Sequence, residues 1–179
     1  MSETKYFPTV EAIDKAAQVL DEILEPTPFQ RNANLSDIYD AEVYLKREDL
    51  QMVRSYKIRG AYNKIRTIDP ELVKNGIVCA SAGNHAQGVA FSCSKLKIMG
   101  SIFMPVTTPK QKIEQVRMFG KEFIEIILTG DTFDAANSAA IEYASANSKT
   151  FIPPFDDPKV MEGQGTIGRE ILSQSTAPL

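Results

Sequence analysis

The feature that most constrains the fold is a regular alternation of short apolar runs with longer amphipathic segments, beginning near residue 55. The short runs are rich in Ile, Val and Phe, which favours buried strands, and the longer segments carry apolar residues at helical spacing. Strands and helices that alternate with short connections are typical of βαβ units. We therefore predict an α/β fold in which a parallel sheet carries flanking helices. The predicted strands are residues 76–80, 101–104, 123–128 and 150–153, and the predicted helices are residues 55–68, 84–97, 110–118, 132–146 and 165–173.

The region before this alternation contains a further helix and a further strand. Residues 9–24 have the spacing of an amphipathic helix, with Thr9 as its N-cap and Pro26 preventing its continuation. Residues 42–48 alternate in polarity as a strand does. The residues of the helix that we expect to face inward are Val10, Ile13, Ala17, Leu20 and Leu24.

Composition excludes several classes of partner. The chain has 179 residues, a net charge of −3 and scattered basic residues, so neither nucleic acid nor a membrane is an expected partner. No apolar run approaches the roughly 18 residues of a membrane helix, and the polar start lacks the apolar region of a signal peptide. Cys79 and Cys93 lie in apolar stretches and suit reduced core residues, which favours a cytoplasmic location. The single histidine, His85, argues against a multi-histidine metal site, so no metal is predicted.

Lys57 is the first candidate for chemistry. Ligands of open parallel sheets bind at the carboxyl ends of the strands, and residues 46–60 are expected to occupy such a position. With Ser55 as N-cap, Lys57 would be the second residue of a helix, where the helix dipole and the nearby Arg54 and Arg59 disfavour an ammonium. A neutral amine is the form that attacks an aldehyde. The same pattern also suits a surface lysine at a helix start, so the residues alone leave both interpretations open.

The second candidate is the loop Ser81-Ala82-Gly83-Asn84, which leaves a predicted strand and enters a predicted helix. Free backbone N–H groups at such a point can bind an anion, and Gly83 permits a tight turn. A structural strand-to-helix turn without a ligand explains the same residues.

Two motifs resemble the serine/threonine dehydratase family of pyridoxal-phosphate-dependent enzymes. Residues 46–51, Lys-Arg-Glu-Asp-Leu-Gln, followed by residues 55–61, Ser-Tyr-Lys-Ile-Arg-Gly-Ala, are similar to the segment that carries the cofactor lysine. Residues 81–88, Ser-Ala-Gly-Asn-His-Ala-Gln-Gly, are similar to the asparagine loop, and the final Gln-Gly is closer to biosynthetic threonine dehydratases than to serine racemases. Weaker similarities at residues 103–105, 109–113, 153–158 and 163–166 extend the resemblance over nearly the whole chain.

The resemblance implies a cofactor, a reaction and a set of site residues. The cofactor is pyridoxal 5'-phosphate, held as a Schiff base by Lys57, which also acts as the catalytic base or acid. The implied reaction is the deaminating dehydration of L-threonine, and of L-serine, to a 2-oxo acid and ammonia, as in isoleucine biosynthesis; the partner is thus a small-molecule amino acid. The implied cofactor contacts are Lys57, Tyr56 and Asn84, and the implied substrate loop is Ser81, Ala82, Gly83 and His85. The side chains of His85 and Tyr56 equally suit purely structural roles.

The resemblance also implies an architecture of the tryptophan-synthase-β-like kind, type II among pyridoxal-phosphate folds, and incomplete in this chain. Residues 1–48 would belong to a large domain, 49–149 would form a small α/β domain, and 150–179 would return to the large domain. The family's glycine-rich phosphate loop would follow Leu179, so we expect this chain alone to bind cofactor poorly and to be inactive. Surface meant to face the missing part favours self-association into a homo-oligomer.

Three alternatives remain open. Within enzymes, serine racemase or serine dehydratase is the nearest competitor. A non-catalytic α/β binding lobe would fold in the same way without chemistry. A nucleotide-binding Rossmann-like domain is the weakest option, because no Gly-x-Gly-x-x-Gly follows a predicted strand.

Overall fold

The computed structural model describes residues 6–176 of the chain. Two short strands form an antiparallel pair, and four strands form a parallel sheet. The strands are β1 (Phe29–Arg31), β2 (Tyr44–Lys46), β3 (Ile77–Ala80), β4 (Gly100–Met104), β5 (Ile124–Leu128) and β6 (Thr150–Phe151). The helices are α1 (Val10–Leu20), α2 (Ala33–Tyr39), α3 (Lys57–Thr67), α4 (Pro70–Val73), α5 (Asn84–Leu96), α6 (Lys110–Gly120), α7 (Phe133–Ala146) and α8 (Pro158–Gln174), with 3₁₀ turns at Glu48–Leu50 and Lys121–Phe123.

The parallel sheet has the strand order β5-β4-β3-β6, and helices cover both of its faces. In β3, Ile77 and Cys79 belong to a core shared with α3, α5 and α6, whereas Val78 and Ala80 pack against α7. This alternation follows from the two-residue period of a strand, and a strand that is buried on both faces has only apolar positions. The predicted parallel α/β fold with flanking helices is therefore confirmed.

Helices α1, α3 and α8 pack together beside the sheet, and α3 is central to this group. Apolar residues of α1 and α3 form one cluster that includes Leu20, Ile58 and Tyr62. The approach of α3 to α8 is close because glycines face it: a Cβ on Gly163 would lie 2.5 Å from the carbonyl oxygen of Arg59. Helix α3 thus has little freedom to shift relative to α8.

Two predicted helices differ in extent from the observed ones. Thr9 caps α1 as predicted, but α1 ends at Leu20, and Val10 is 72% exposed, so its predicted inward position is wrong. Helix α8 begins at residue 158, seven residues before the predicted start, because Asp157 accepts hydrogen bonds from two backbone N–H groups of the first turn and Pro158 suits the first helical position.

The segment before α3 contains elements that the periodicity did not indicate. The strand predicted at residues 42–48 is the shorter β2, and it pairs with β1 rather than with the parallel sheet. Strand β1 has three residues, and α2 and α4 have seven and four, so none is long enough to give a periodic signal. At the other end, β6 pairs with β3, while the domain boundaries at residues 48 and 149 stay a prediction. No helix in the described part of the chain is both long enough and apolar enough to cross a membrane.

Candidate active site

The candidate site lies where β3 and β6, neighbouring parallel strands, reach their carboxyl ends. Strand β3 continues into the loop of residues 81–83 and then into α5, whereas β6 continues into residues 152–155. Because both strands run in the same direction, the two connections emerge at one edge of the sheet, which is where ligands of open α/β sheets bind.

His85 joins these two connections. Its ring nitrogen Nε2 lies 3.0 Å from the carbonyl oxygen of Ile152, and since a carbonyl only accepts, Nε2 carries the proton. Burial lowers the pKa of His85 to about 4; the hydrogen bond to Ile152 opposes this shift and the charge of Lys57 adds to it. The ring is therefore neutral, and its buried Nδ1 is an acceptor with no hydrogen-bond partner among residues 6–176.

Lys57 reaches the same connection from α3. Its Nζ donates a hydrogen bond of 2.8 Å to the carbonyl oxygen of Pro154 and lies 5.2 Å from the ring centre of Tyr56 and 5.9 Å from that of Phe155. Tyr56 and Phe155 are 40% and 64% exposed, so both rings are open to solvent; we call this open edge of the site the crevice. The amine is thus held near aromatic surface at the mouth of the site rather than extended into solvent.

The start of α3 differs slightly from the prediction. Lys57 is the first helical residue rather than the second, and the residue in the N-cap position is Tyr56. Ser55 still contributes, because its Oγ accepts the backbone N–H of Lys57 at 3.2 Å. This bond satisfies one of the N–H groups that a helix start leaves without an intrahelical partner.

Residues 46–60 were predicted to follow a strand of the parallel sheet. That prediction is wrong, because β2, the strand before Lys57, belongs to the antiparallel pair. Lys57 enters the crevice because α3 packs against α5 as well as α8. A Cβ on Gly88 would lie 3.1 Å from the carbonyl oxygen of Lys57 and from the backbone of Ile58, so α5 contacts the first turn of α3 directly. Close backbone approach through a glycine brings Lys57 beside the loop that precedes α5.

The loop of residues 81–84 has the form of an anion site. Ser81 Oγ accepts the N–H of Gly83 at 3.1 Å, and the first intrahelical bond of α5 runs from Gln87 N to Gly83 O. The N–H groups that precede this bond point out of the helix start and suit a carboxylate or phosphate oxygen. A Cβ on Gly83 would meet no atom within 4 Å, so space lies beside the loop, and Asn84 is exposed to it.

The predicted site residues therefore gather at one edge of the sheet. Lys57 and Tyr56 lie at the start of α3, and His85 shares with Lys57 the segment after β6. Ser81, Ala82, Gly83 and Asn84 precede or begin α5 at the same edge. The roles of all seven toward cofactor and substrate stay predictions.

Two features escaped the sequence interpretation. Pro154 and Phe155, which contact Lys57, lie 97 and 98 positions away in the sequence, and the strand end and family resemblance that marked their segment did not indicate this contact. Arg59 was expected to add positive potential at Lys57, but its side chain is 2% exposed and paired with Glu48 and Glu170. That expectation is wrong, because the two carboxylates neutralise the guanidinium; their presence there depends on tertiary packing.

Comparison with known proteins places this geometry in a family. A family model described as pyridoxal-phosphate-dependent enzyme matches residues 20–178. The biosynthetic L-threonine dehydratase IlvA of Bacillus subtilis is 60% identical over 164 residues, which is 92% of this chain and 39% of that protein. The IlvA protein of Staphylococcus aureus strain N315 is 52% identical over 163 residues, covering 91% of this chain and 39% of its own length.

Solved structures share the fold as well. The processed form of threonine deaminase isoform 2 from Solanum lycopersicum superposes with a TM-score of 0.83 at 39% identity, over 97% of this chain and 49% of that one. Maize serine racemase superposes with a TM-score of 0.87 at 27% identity, over 94% of this chain and 50% of that one. The chain thus spans between 39% and about half of the length of these relatives. The type II fold is confirmed by these matches, and the chain belongs to the family of pyridoxal-phosphate-dependent enzymes.

Proposed function

We propose that the protein catalyses the deaminating dehydration of L-threonine, and of L-serine, to a 2-oxo acid and ammonia, with pyridoxal phosphate attached to Lys57. The observation that carries this proposal is the placement of the Lys57 amine within 6 Å of two aromatic ring centres, at the edge of the sheet where α5 begins. The identity of 60% to a biosynthetic L-threonine dehydratase supports the substrate.

The residues present fit pyridoxal phosphate. An aldehyde needs an amine that can reach it, and Lys57 Nζ is held at the crevice by one carbonyl oxygen. A planar pyridine ring suits the aromatic faces of Tyr56 and Phe155, and the exposed amide of Asn84 can both donate and accept toward a ring hydroxyl. The open space beside Gly83 leaves room for a bound group.

The chain's own residues would then perform distinct tasks. Pyridoxal phosphate, when bound, supplies an electron sink that makes the α-proton of an amino acid acidic. Lys57 would accept that proton at Nζ and would return a proton as the β-hydroxyl leaves. The N–H groups of Ala82 and of the start of α5 would hold the substrate carboxylate, as helix N-termini hold anions, because the N–H groups of Ser81 and Gly83 already donate to Phe103 O and Ser81 Oγ.

His85 would serve this loop through its neutral ring rather than through its charge. Its Nε2–H holds the Ile152 carbonyl, two residues before the Pro154 carbonyl that accepts from Lys57. A ring whose pKa is about 4 stays uncharged near neutral pH, so it adds no positive charge to the site. We assign it to the support of the crevice wall.

The remaining predictions extend this proposal. Residues 49–149 would form the small lobe that carries Asn84 and the substrate loop, with the flanking segments in a larger lobe. A homo-oligomer in the cytoplasm is the state that we expect for the protein. Size-exclusion chromatography with light scattering would measure the oligomeric state.

Ammonia release from L-threonine tests the proposal, measured on a protein that also contains the phosphate loop expected after Leu179. Lys57→Ala should abolish ammonia release, whereas Lys112→Ala, which removes an equivalent charge from the exposed start of α6, should retain it. Full ammonia release by Lys57→Ala would refute the proposal. A protein that neither releases ammonia nor absorbs as a pyridoxal-phosphate enzyme would instead match the non-catalytic binding lobe.

Serine racemisation is the second candidate, favoured by the superposition on maize serine racemase at a TM-score of 0.87. The two activities differ in what becomes of L-serine. Chiral chromatography would recover D-serine from a racemase, whereas a dehydratase would yield a 2-oxo acid and ammonia.

A further inference from the structure

Four largely buried charged side chains form a cluster around Arg59 of α3, and we call Lys46, Glu48, Arg59 and Glu170 the charge quartet. Arg59 faces Glu48 through Nε and Nη2, both at 2.8 Å, and faces Glu170 through Nη1 at 2.6 Å and Nη2 at 3.0 Å. Lys46 Nζ lies 2.5 Å from Glu170. Two positive and two negative charges cancel, and their side chains are between 2% and 14% exposed.

The Arg59 guanidinium is completely satisfied. A guanidinium has five N–H donors, and Arg59 makes four bonds to the two carboxylates and a fifth, of 3.1 Å, from Nη1 to Thr166 Oγ1. Such two-pronged contacts fix orientation as well as distance. Burial would lower the pKa of Arg59, but the hydrogen bonds to Glu48 and Glu170 outweigh it and raise the pKa.

The charge quartet joins the start of α3 to three other parts of the chain. Glu48 lies in the 3₁₀ turn after β2, Lys46 ends β2, and Glu170 lies on α8. Glu48 also accepts from Thr27 Oγ1 at 2.6 Å, and Lys46 donates to the Thr27 carbonyl oxygen at 2.6 Å. A rotation of α3 about its axis would break several of these bonds at once.

The orientation of α3 sets the position of the Lys57 amine. Lys57 and Arg59 are two residues apart on one helix, so their side chains leave it in nearly opposite directions. Arg59 contacts α8, and the turn that precedes α8 supplies the Pro154 carbonyl, which accepts from Lys57. Helix α3 therefore contacts α8 or the turn before it through both Arg59 and Lys57. We infer that the contacts of Arg59 determine where Lys57 Nζ lies relative to the Pro154 carbonyl.

We propose that Arg59, held by Glu48 and Glu170, is a positioning residue that orients Lys57 for its reaction with an aldehyde. This inference rests on the proposed function. Condensation forms a C=N bond between Lys57 Nζ and the aldehyde carbon and releases water, so its rate depends on where Nζ points. Arg59→Lys retains the positive charge but has no planar fork to bind two carboxylates.

The rate at which the protein captures pyridoxal phosphate tests this inference without requiring turnover. The cofactor is removed from a purified protein that also contains the phosphate loop expected after Leu179 and is added back, and capture is followed by absorbance. Arg59→Lys should slow capture about tenfold to a hundredfold, the loss expected when a reacting group is misplaced by about 1 Å. Glu170→Gln, which keeps one carbonyl acceptor, should show a smaller loss in the same direction.

A destabilised control separates positioning from general weakening of the fold. Val116→Ala removes buried methyl groups from α6, remote from the charge quartet, and should lower the melting temperature while capture stays at the wild-type rate. Wild-type capture by Arg59→Lys would overturn the inference and leave the proposed function intact. If Arg59→Lys does not fold, the comparison of Glu170→Gln with Val116→Ala decides in the same way. Absence of capture by the wild-type protein would overturn both proposals.

Discussion

The stability of this protein should fall between neutral pH and about pH 5 because of one residue, His85. The chain contains a single histidine, so few other groups titrate in this interval. Burial lowers the pKa of His85 from 6.5 to about 4. Between these two pH values the histidine is therefore protonated in the unfolded chain but neutral in the folded chain. A group of this kind stabilises the fold fully above its unfolded pKa, and the contribution is lost as the pH falls from 6.5 toward 4.

The size of the effect follows from the two pKa values. Proton linkage gives a loss of about 2 kcal/mol in the free energy of unfolding between about pH 7.5 and about pH 5, of a possible total of about 3 kcal/mol. Urea unfolding followed by circular dichroism at a series of pH values measures this loss directly.

His85→Gln is the matched control, because a glutamine can still donate to the Ile152 carbonyl but does not titrate. The variant should show a nearly flat stability between about pH 5 and about pH 7.5, whatever its absolute stability. Equal pH dependence in the wild-type protein and in His85→Gln would refute the account of a buried, neutral histidine.

Three further changes have defined outcomes. Gly163→Ala should lower the free energy of unfolding by about 1–3 kcal/mol, measured by urea titration, because its Cβ would lie 2.5 Å from the Arg59 carbonyl oxygen; an unchanged midpoint would contradict the close packing of α3 on α8. Gly83→Ala should change stability by less than about 0.5 kcal/mol, since no atom lies within 4 Å of its Cβ, yet should raise the KM for threonine several-fold if the loop receives the carboxylate. Asp157→Ala should cost about 1–2 kcal/mol in thermal unfolding, because it removes the N-cap of α8; a melting temperature equal to that of the wild-type protein would argue against this cap.

The sequence predicted the fold best for strands that are buried on both faces of the sheet. Strands β3 and β4 are buried on both faces, so every position is apolar or small, and their runs were predictable with nearly correct bounds. Helical spacing wrongly predicted that Val10 faces inward. Val10 is the first residue of α1, and its side chain is 72% exposed. Periodicity also failed at β1 and α4, which are too short to show a period.

The candidate site was predictable as far as its motifs are local. Lys57 and the loop that begins at Ser81 each belong to a contiguous stretch, and each stretch resembles a motif of the family. The acceptor for Lys57, the carbonyl of Pro154, is a backbone atom 97 positions away, which no side-chain pattern can indicate. The pairing of Arg59 with Glu170 spans 111 positions and arises only when α3 packs on α8.

Acid should also weaken the charge quartet, in a lower pH range than His85. Burial would raise the pKa of Glu170, but hydrogen bonds from Arg59 and Lys46 outweigh it and hold the pKa below 4.5. A carboxyl with a lowered pKa stabilises the fold above its unfolded value and loses this contribution as the pH falls through its folded value. The decline in stability should therefore steepen below pH 4.5, and this second phase should be smaller in Glu170→Gln.

The covalent attachment site of pyridoxal phosphate is the measurement that tests the central claim most directly. Borohydride reduction of the cofactor-loaded protein, followed by proteolysis and mass spectrometry, identifies the lysine that carries the cofactor. The account predicts the added mass on the peptide that contains Lys57, and no specific modification in Lys57→Ala. Added mass on a different lysine of the wild-type protein would contradict it.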